Sequence, residues 1–317
     1  MKKFIKIFNK VNGREKIEQY IRAHVFFLAV IETIILGLTK KSLEIVRLAV
    51  YNRIVNRLRR KYKNFILNFM ENDDDTLSHQ KPNKIWFCWL QGMENAPFVV
   101  KKCYESLHNN ISNREIIVIT EKNYKNYVTF PSFIETKIKK GQISRTHFSD
   151  LLRLELLIRY GGTWIDATVY CSTSKIPSFY LDSSLFLFQN LKPGLDGQAT
   201  RISSWFITSC SNNKILRLTR SLLYEYWKTN STMVDYFLLH DFFELAIEAN
   251  MNEWENVIPV ENGMCHVLLL RLFKPYDEKV WNNLKDQIPF HKLTYKYDES
   301  KTQKKGTYFD KILKVKK

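Results

Sequence analysis

Residues 146–169 read THFSDLLRLELLIRYGGTWIDATV, and the order of these residues decides the fold. The pattern predicts a helix over 144–159, on which Asp150 and Arg153, three positions apart, share one face. Tyr160-Gly161-Gly162 ends it, because glycine takes the left-handed backbone that stops a helix. A strand then runs over 163–169 and delivers Asp166 to its carboxyl end.

Outward from this unit the alternation continues. Apolar, β-branched runs predict strands at 84–89, 115–120, 185–189 and 205–208. Helical periodicity falls at 98–109, 131–140, 215–228 and 234–249. Strands alternating with helices imply an α/β fold with a largely parallel sheet and a ligand site at the carboxyl ends of its strands. With 317 residues, 45% of them hydrophobic and 14% aromatic, the chain has ample material for a core and excludes a disordered class. Cys88, Cys103, Cys171, Cys210 and Cys265 are scattered, with no CxxC pair, and read as reduced cytosolic thiols rather than a disulfide or zinc framework.

The net charge is +17, and residues 1–70, with nine Lys, seven Arg and four Glu, hold +12 of it. The charge therefore marks one end of the chain, not a basic groove across it. No helix-turn-helix, zinc-finger or RNP-like motif accompanies it, so no nucleic-acid partner is expected. Residues 1–70 contain no proline and read as helical. VFFLAVIETIILGL at 25–38 is apolar but broken by Glu32, and is shorter than the roughly 20 residues of a membrane span. No small-residue cleavage site follows it, so no secretory signal is expected. Val46, Val50, Ile54 and Leu58 then recur four apart among Arg47, Arg53, Arg57, Arg59 and Arg60. Such a basic amphipathic helix suits an anionic membrane surface; packing on the rest of the chain or on a partner is the competing reading. Residues 71–83, opening on Glu71-Asn72-Asp73-Asp74-Asp75, read as a solvated linker, 84–300 as the α/β domain and 301–317 as a basic tail.

SDxxR at 149–153 followed by YGGxWxD at 160–166, with IWFCWLQG at 85–92, EIIVIT at 115–120, SSWFITS at 203–209, YWK at 226–228, DYFLLH at 235–240 and HKLTYK at 291–296, resembles the capsular polysaccharide synthesis glycosyltransferases. More distantly the pattern is similar to a class of mannosyltransferases and to the large glucosylating toxins. The resemblance implies a GT-A fold that takes a UDP- or GDP-hexose, with a divalent cation, Mn²⁺ or Mg²⁺. It implies retaining transfer to a lipid-linked glycan at the cytoplasmic face of the plasma membrane. Negative charge builds on the departing phosphates in such a transfer, and a carboxylate-held cation offsets it.

By the same resemblance Asp150 binds the nucleoside or sugar, Arg153 the donor sugar or phosphate, and Asp166 the metal and ribose, with Trp86 or Trp89 near the base. The related metal motif is Asp-x-Asp, whereas here it is Asp166-Ala167-Thr168, which leaves Thr168 as a neutral second ligand. His291 is the candidate carboxyl-terminal metal ligand and Lys296 a phosphate partner. Asp235 and Asp241 are candidates for the carboxylate facing the reacting sugar. Each has an ordinary alternative: a plain ion pair for Asp150 with Arg153, a cap for Asp166, core packing for Trp86 or Trp89, for Trp205 and for His240. The Thr168 departure also leaves open an inactive scaffold of a capsule-synthesis complex.

Overall fold

Helices α1 (Gly13–Arg22), α2 (Phe26–Leu36) and α3 (Lys40–Glu71) open the described part of the chain, as the absence of proline allows. The alternating part follows: β1 (Lys84–Cys88), α4 (Phe98–Asn110), β2 (Glu115–Ile119), α5 (Ser132–Lys139), α6 (Arg145–Tyr160), β3 (Gly162–Asp166), β4 (Val169–Cys171), β5 (Leu185–Gln189), β6 (Ile202–Ser209), α7 (Lys214–Thr229), α8 (Leu238–Ala249), α9 (Glu278–Gln287) and β7 (Phe290–Lys292). The structure, a computed structural model, describes residues 13–73, 77–191 and 200–314. Residues 1–12 of the basic segment, 74–76 of the expected linker and 315–317 of the tail lie outside the described residues.

The central sheet has the order β2-β1-β3-β6-β5. β1 runs parallel to β2 and β3, while β6 runs antiparallel to β3 and to β5. The fold is thus α/β with a parallel-rich but mixed sheet. The single strand expected over 163–169 is two. Cys88, the last residue of β1, lies opposite Asp166, so β3 has no β1 partner beyond it. The chain turns at Ala167-Thr168, and β4 leaves to pair antiparallel with β7 in a separate two-stranded sheet. The helix expected from 234 begins at Leu238, because the Asp235 carboxylate accepts from the Phe237 N–H at 3.3 Å and holds the preceding residues in a loop.

α3 corrects the expectation of an appended amphipathic helix. Val46, Val50, Ile54 and Leu58 are buried, in one core cluster with Tyr226 of α7 and Phe242 of α8. Tyr62 meets Phe242 edge to face with ring centroids 5.1 Å apart, and Arg59 pairs with Glu248. The apolar stripe therefore faces protein. The expected linker is also tied down: Asp73, its side chain 2% exposed, pairs with Arg217 at 2.6 Å and Lys214 at 3.3 Å. Gln80 exchanges two hydrogen bonds with Ser211. Nor is the described part of the basic tail loose, for Tyr308, Phe309 and Leu313 are buried in a cluster with Val99 and Cys103 of α4. Among the described residues, no helix is long and apolar enough to cross a membrane.

Candidate functional site

α6 starts where Ser144 accepts from the His147 N–H and ends at Gly161. Gly161 and Gly162 sit at φ 65° and 108°, a backbone that side chains disfavour. A Cβ on Gly162 would lie 2.6 Å from the Lys84 carbonyl oxygen and 2.9 Å from Trp86 Nε1. This turn sets α6 against β3, so that Arg153, buried and paired with Asp150, reaches Asp166 at the carboxyl end of β3.

There the side chains form one connected row. Trp227 Nε1 donates to His147 Nε2 at 2.9 Å, which puts the imidazole proton on Nδ1, 3.3 Å from Asp150 Oδ2. Asp150 Oδ1 pairs with Arg153 Nη1 at 3.1 Å, and Arg153 Nη2 lies 3.4 Å from Asp166 Oδ1. The guanidinium stacks over Trp164 at 5.0 Å, and its Nε has no hydrogen-bond partner among the described residues. Asp166 Oδ1 also accepts from Trp164 Nε1 at 2.9 Å. On the other side Lys292 Nζ donates to Asp166 Oδ2 at 2.7 Å and to Thr168 Oγ1 at 3.0 Å. Burial alone would raise the Asp166 carboxyl, but Lys292 and Arg153 outweigh it and hold it below the ordinary carboxylate value.

His240 of α8 joins this group. Burial drives its imidazole down to about 4, and the charges of Asp150, Arg153 and Asp166 act on it. It is partly exposed, and its Nδ1 has no hydrogen-bond partner among the described residues. Trp205, Asn262 and His266 form a neighbouring group, on whose His266 the Lys292 charge acts. Trp205 stacks on Phe188 and donates to Asn262 Oδ1 at 3.0 Å, and burial together with Lys292 pushes the His266 imidazole down.

Other expected site residues lie elsewhere. Trp86 is fully buried and donates to the Gly161 carbonyl at 2.8 Å, so it clamps the glycine turn instead of meeting a base. Trp89 lies just past β1, partly exposed, its ring edge to face with Tyr295 at 5.4 Å. It shares that region with exposed Lys296, whose ammonium sits over Tyr295 at 5.8 Å. Asp241 is fully buried beside the charge of Asp235, and neither of its oxygens has a hydrogen-bond partner among the described residues. Asp235 is buried too, accepting from Gln19 of α1 at 3.1 Å. Both acids belong to the contact with the N-terminal helices: Asp235 through Gln19 of α1, and Asp241, one helix position and about 100° round from His240, beside Asp235 and Tyr51 of α3. His291 also faces away: it pairs with Tyr170 across β4 and β7, its Nε2 lies 3.0 Å from Ser172 Oγ, and its ring packs on Trp281.

The family model for "Capsular polysaccharide synthesis protein" matches residues 36–312. The chain belongs to that family. The match begins at Leu36 and so takes in α3 together with the α/β body. A solved structure, "PaToxG Glycosyltransferase", is similar at 15% identity with a TM-score of 0.40, over 62% of this chain and 80% of that chain. Comparison with curated proteins gives no match.

For this member of the capsular polysaccharide synthesis family, the divalent cation implied by the Asp-x-Asp resemblance can be tested against the residues present. One carboxylate, Asp166, and one hydroxyl, Thr168, face the position, and both already bind the Lys292 ammonium. His291 points to the opposite side of β7. Among the described residues no three His, Cys, Asp or Glu side chains stand together as a metal cluster. A dication here would have Asp166 as its one charged protein ligand and would meet the Lys292 ammonium already seated on that carboxylate, so this set does not fit one.

Proposed function

We propose that the chain is a glycosyltransferase with a GT-A type site, moving a hexose from UDP- or GDP-hexose to a lipid-linked glycan in capsular polysaccharide synthesis. The observation that carries the reading is the row Asp150, Arg153 and Asp166, assembled by the α6-turn-β3 unit at the carboxyl end of the sheet. Arg153 is buried and held in place by Asp150 and Trp164, so its charge is fixed beside Asp166. A cation fixed before substrate arrives needs no reorganisation as charge develops on the leaving diphosphate. Asp166, kept ionised, accepts hydroxyls of the ribose or sugar, and the partly exposed Trp89 offers its ring to the base. The partly exposed imidazole of His240, kept neutral by burial of its inner edge, is proposed to meet a sugar hydroxyl. Retention of anomeric configuration is proposed from the motif resemblance.

The acceptor is proposed to lie in the cytoplasmic leaflet of a membrane, with the protein bound peripherally to that anionic surface. Support comes from α2, where Phe27, Ile34 and Ile35 are 79%, 76% and 74% exposed and fall with Ile31 on one helical face. Nearby, Arg53, Arg57, Arg60, Lys61 and His24 line a depression of about 540 Å³. Apolar insertion beside clustered cations is the chemistry of an interfacial anchor.

Release of UDP or GDP from the corresponding sugar nucleotides tests the enzyme. Asp166→Asn keeps shape and loses charge, and is expected to lower turnover on the order of a hundredfold or more while the chain remains folded. Wild-type turnover by this variant at saturating donor refutes the assignment.

A further inference from the structure

Lys292 stands where a nucleotide-sugar transferase of this motif would hold its cation. Its ammonium bridges Asp166 Oδ2 at 2.7 Å and Thr168 Oγ1 at 3.0 Å, the first and third residues of the Asp-Ala-Thr segment. The position is set by backbone, not by a wandering side chain. Lys292 pairs with Val169 in the β4–β7 register, and the Leu293 N–H donates to the Thr168 carbonyl at 2.8 Å, one residue on either side of the contact. The side chain is 19% exposed, so it is enclosed yet reachable. Three features agree on what it does. Thr168 is a neutral group that accepts from an ammonium readily and binds a hard cation weakly. An ammonium carries three N–H donors, of which Asp166 and Thr168 take two. Finally, Asp150 and Asp166 are matched in charge by Arg153 and Lys292, so an added dication would have to displace Lys292 or stand against it.

We propose that Lys292 replaces the divalent cation. Its third N–H binds the donor diphosphate, and its charge, together with that of Arg153, offsets the charge on the departing nucleoside diphosphate. Donor binding and transfer are therefore independent of added metal. In the step itself the acceptor oxygen bonds to the anomeric carbon. The bond from that carbon to the diphosphate oxygen breaks with its electron pair on the diphosphate, and the acceptor proton passes to solvent. Lys292 stays protonated throughout. This rests on the transferase reading above, and replaces its metal.

The experiment measures thermal shifts and nucleoside diphosphate release with UDP, GDP and their hexose conjugates, in EDTA and in Mn²⁺ or Mg²⁺. The wild-type chain is expected to give the same shift and, within about twofold, the same turnover in EDTA as with metal. Lys292→Ala should lose turnover on the order of a hundredfold or more, and Lys292→Arg, which keeps the charge, should recover a measurable part of it. Binding or turnover that appears only with metal overturns the proposal and leaves the transferase reading standing. So does full turnover by Lys292→Ala. If no nucleotide binds under either condition, the donor reading falls and this inference falls with it. The EDTA comparison uses the wild-type chain, so it decides the question even if Lys292→Ala fails to fold.

Discussion

Ile54→Ala separates an α3 that belongs to the core from one that merely hangs on it. Ile54 is 2% exposed and sits in the cluster that joins α3 to α7 and α8. The substitution removes three carbons, worth about 0.8 kcal/mol each in transfer, or roughly 2.4 kcal/mol. A cavity term adds to this, and buried Ile→Ala changes cost about 2–5 kcal/mol in all. Here Ile54 also lines an open pocket with Leu58, Tyr226 and Val234, so water or neighbouring side chains can fill the gap and the cavity term stays small. The expected loss is about 2–3 kcal/mol. At roughly 2 °C per kcal/mol for a chain of this size, the main thermal transition should fall by about 4–6 °C. Ile45→Ala, on the same helix but at a 50% exposed residue, is the control and should stay within about 0.5 kcal/mol of wild type. Differential scanning calorimetry of the full chain is the assay. An unchanged main transition in Ile54→Ala would refute the placement of α3 in the common core.

Two further outcomes follow from buried charge and exposed apolar surface. Burial and the neighbouring Asp235 push the Asp241 carboxyl well above its ordinary value, so above the ordinary carboxylate pKa the folded chain binds this proton more tightly than the unfolded chain does. That penalty grows as pH rises and vanishes on acidification, so unfolding free energies should move in favour of Asp241→Asn between about pH 4 and pH 7, with nucleoside diphosphate release retained. A pH-independent difference, or lost turnover, counts against Asp241 as a buried neutral acid outside the site. For the membrane face, Ile34→Glu with Ile35→Glu should abolish most co-sedimentation with vesicles containing an anionic phospholipid, and high salt should weaken binding of the unaltered chain. Equal sedimentation of the double variant and wild type would move the anchor away from α2.

Local signals made most of the elements legible. Strand length, helical period and the glycine pair at 161–162 all act within a few residues, and the structure shows the elements they mark, except that the strand expected over 163–169 divides in two and the helix expected from 234 begins at Leu238. The α6-turn-β3 unit was readable for the same reason, and with it Asp150, Arg153 and Asp166. What a periodic stripe meets is not a local property. The spacing of Val46, Val50, Ile54 and Leu58 reveals an apolar face on α3 but not whether lipid or α8 covers it. The same limit separates His240 from Asp241, neighbours in sequence that point about 100° apart around α8. Lys292 could have been found by strand alternation, since whatever faces away from His291 must include its neighbour. β7 is only three residues long, however, and its partner β4 was hidden inside a longer expected strand. Trp86 and Trp89 likewise needed the end of β1, at Cys88, to be told apart.

The pairing of β4 with β7 also has a bearing on synthesis and turnover. Lys292 follows Asp166 by 126 residues, so the carboxylate emerges from the ribosome long before its ammonium partner does. A nascent chain that has assembled β1, β2, β3 and α6 presents Asp166 with Arg153 as its one cationic partner. The site exists in full only once translation has passed β7. A protease that clips the segment after α9 would dismantle it without touching any residue of the SDxxR or YGGxWxD motifs.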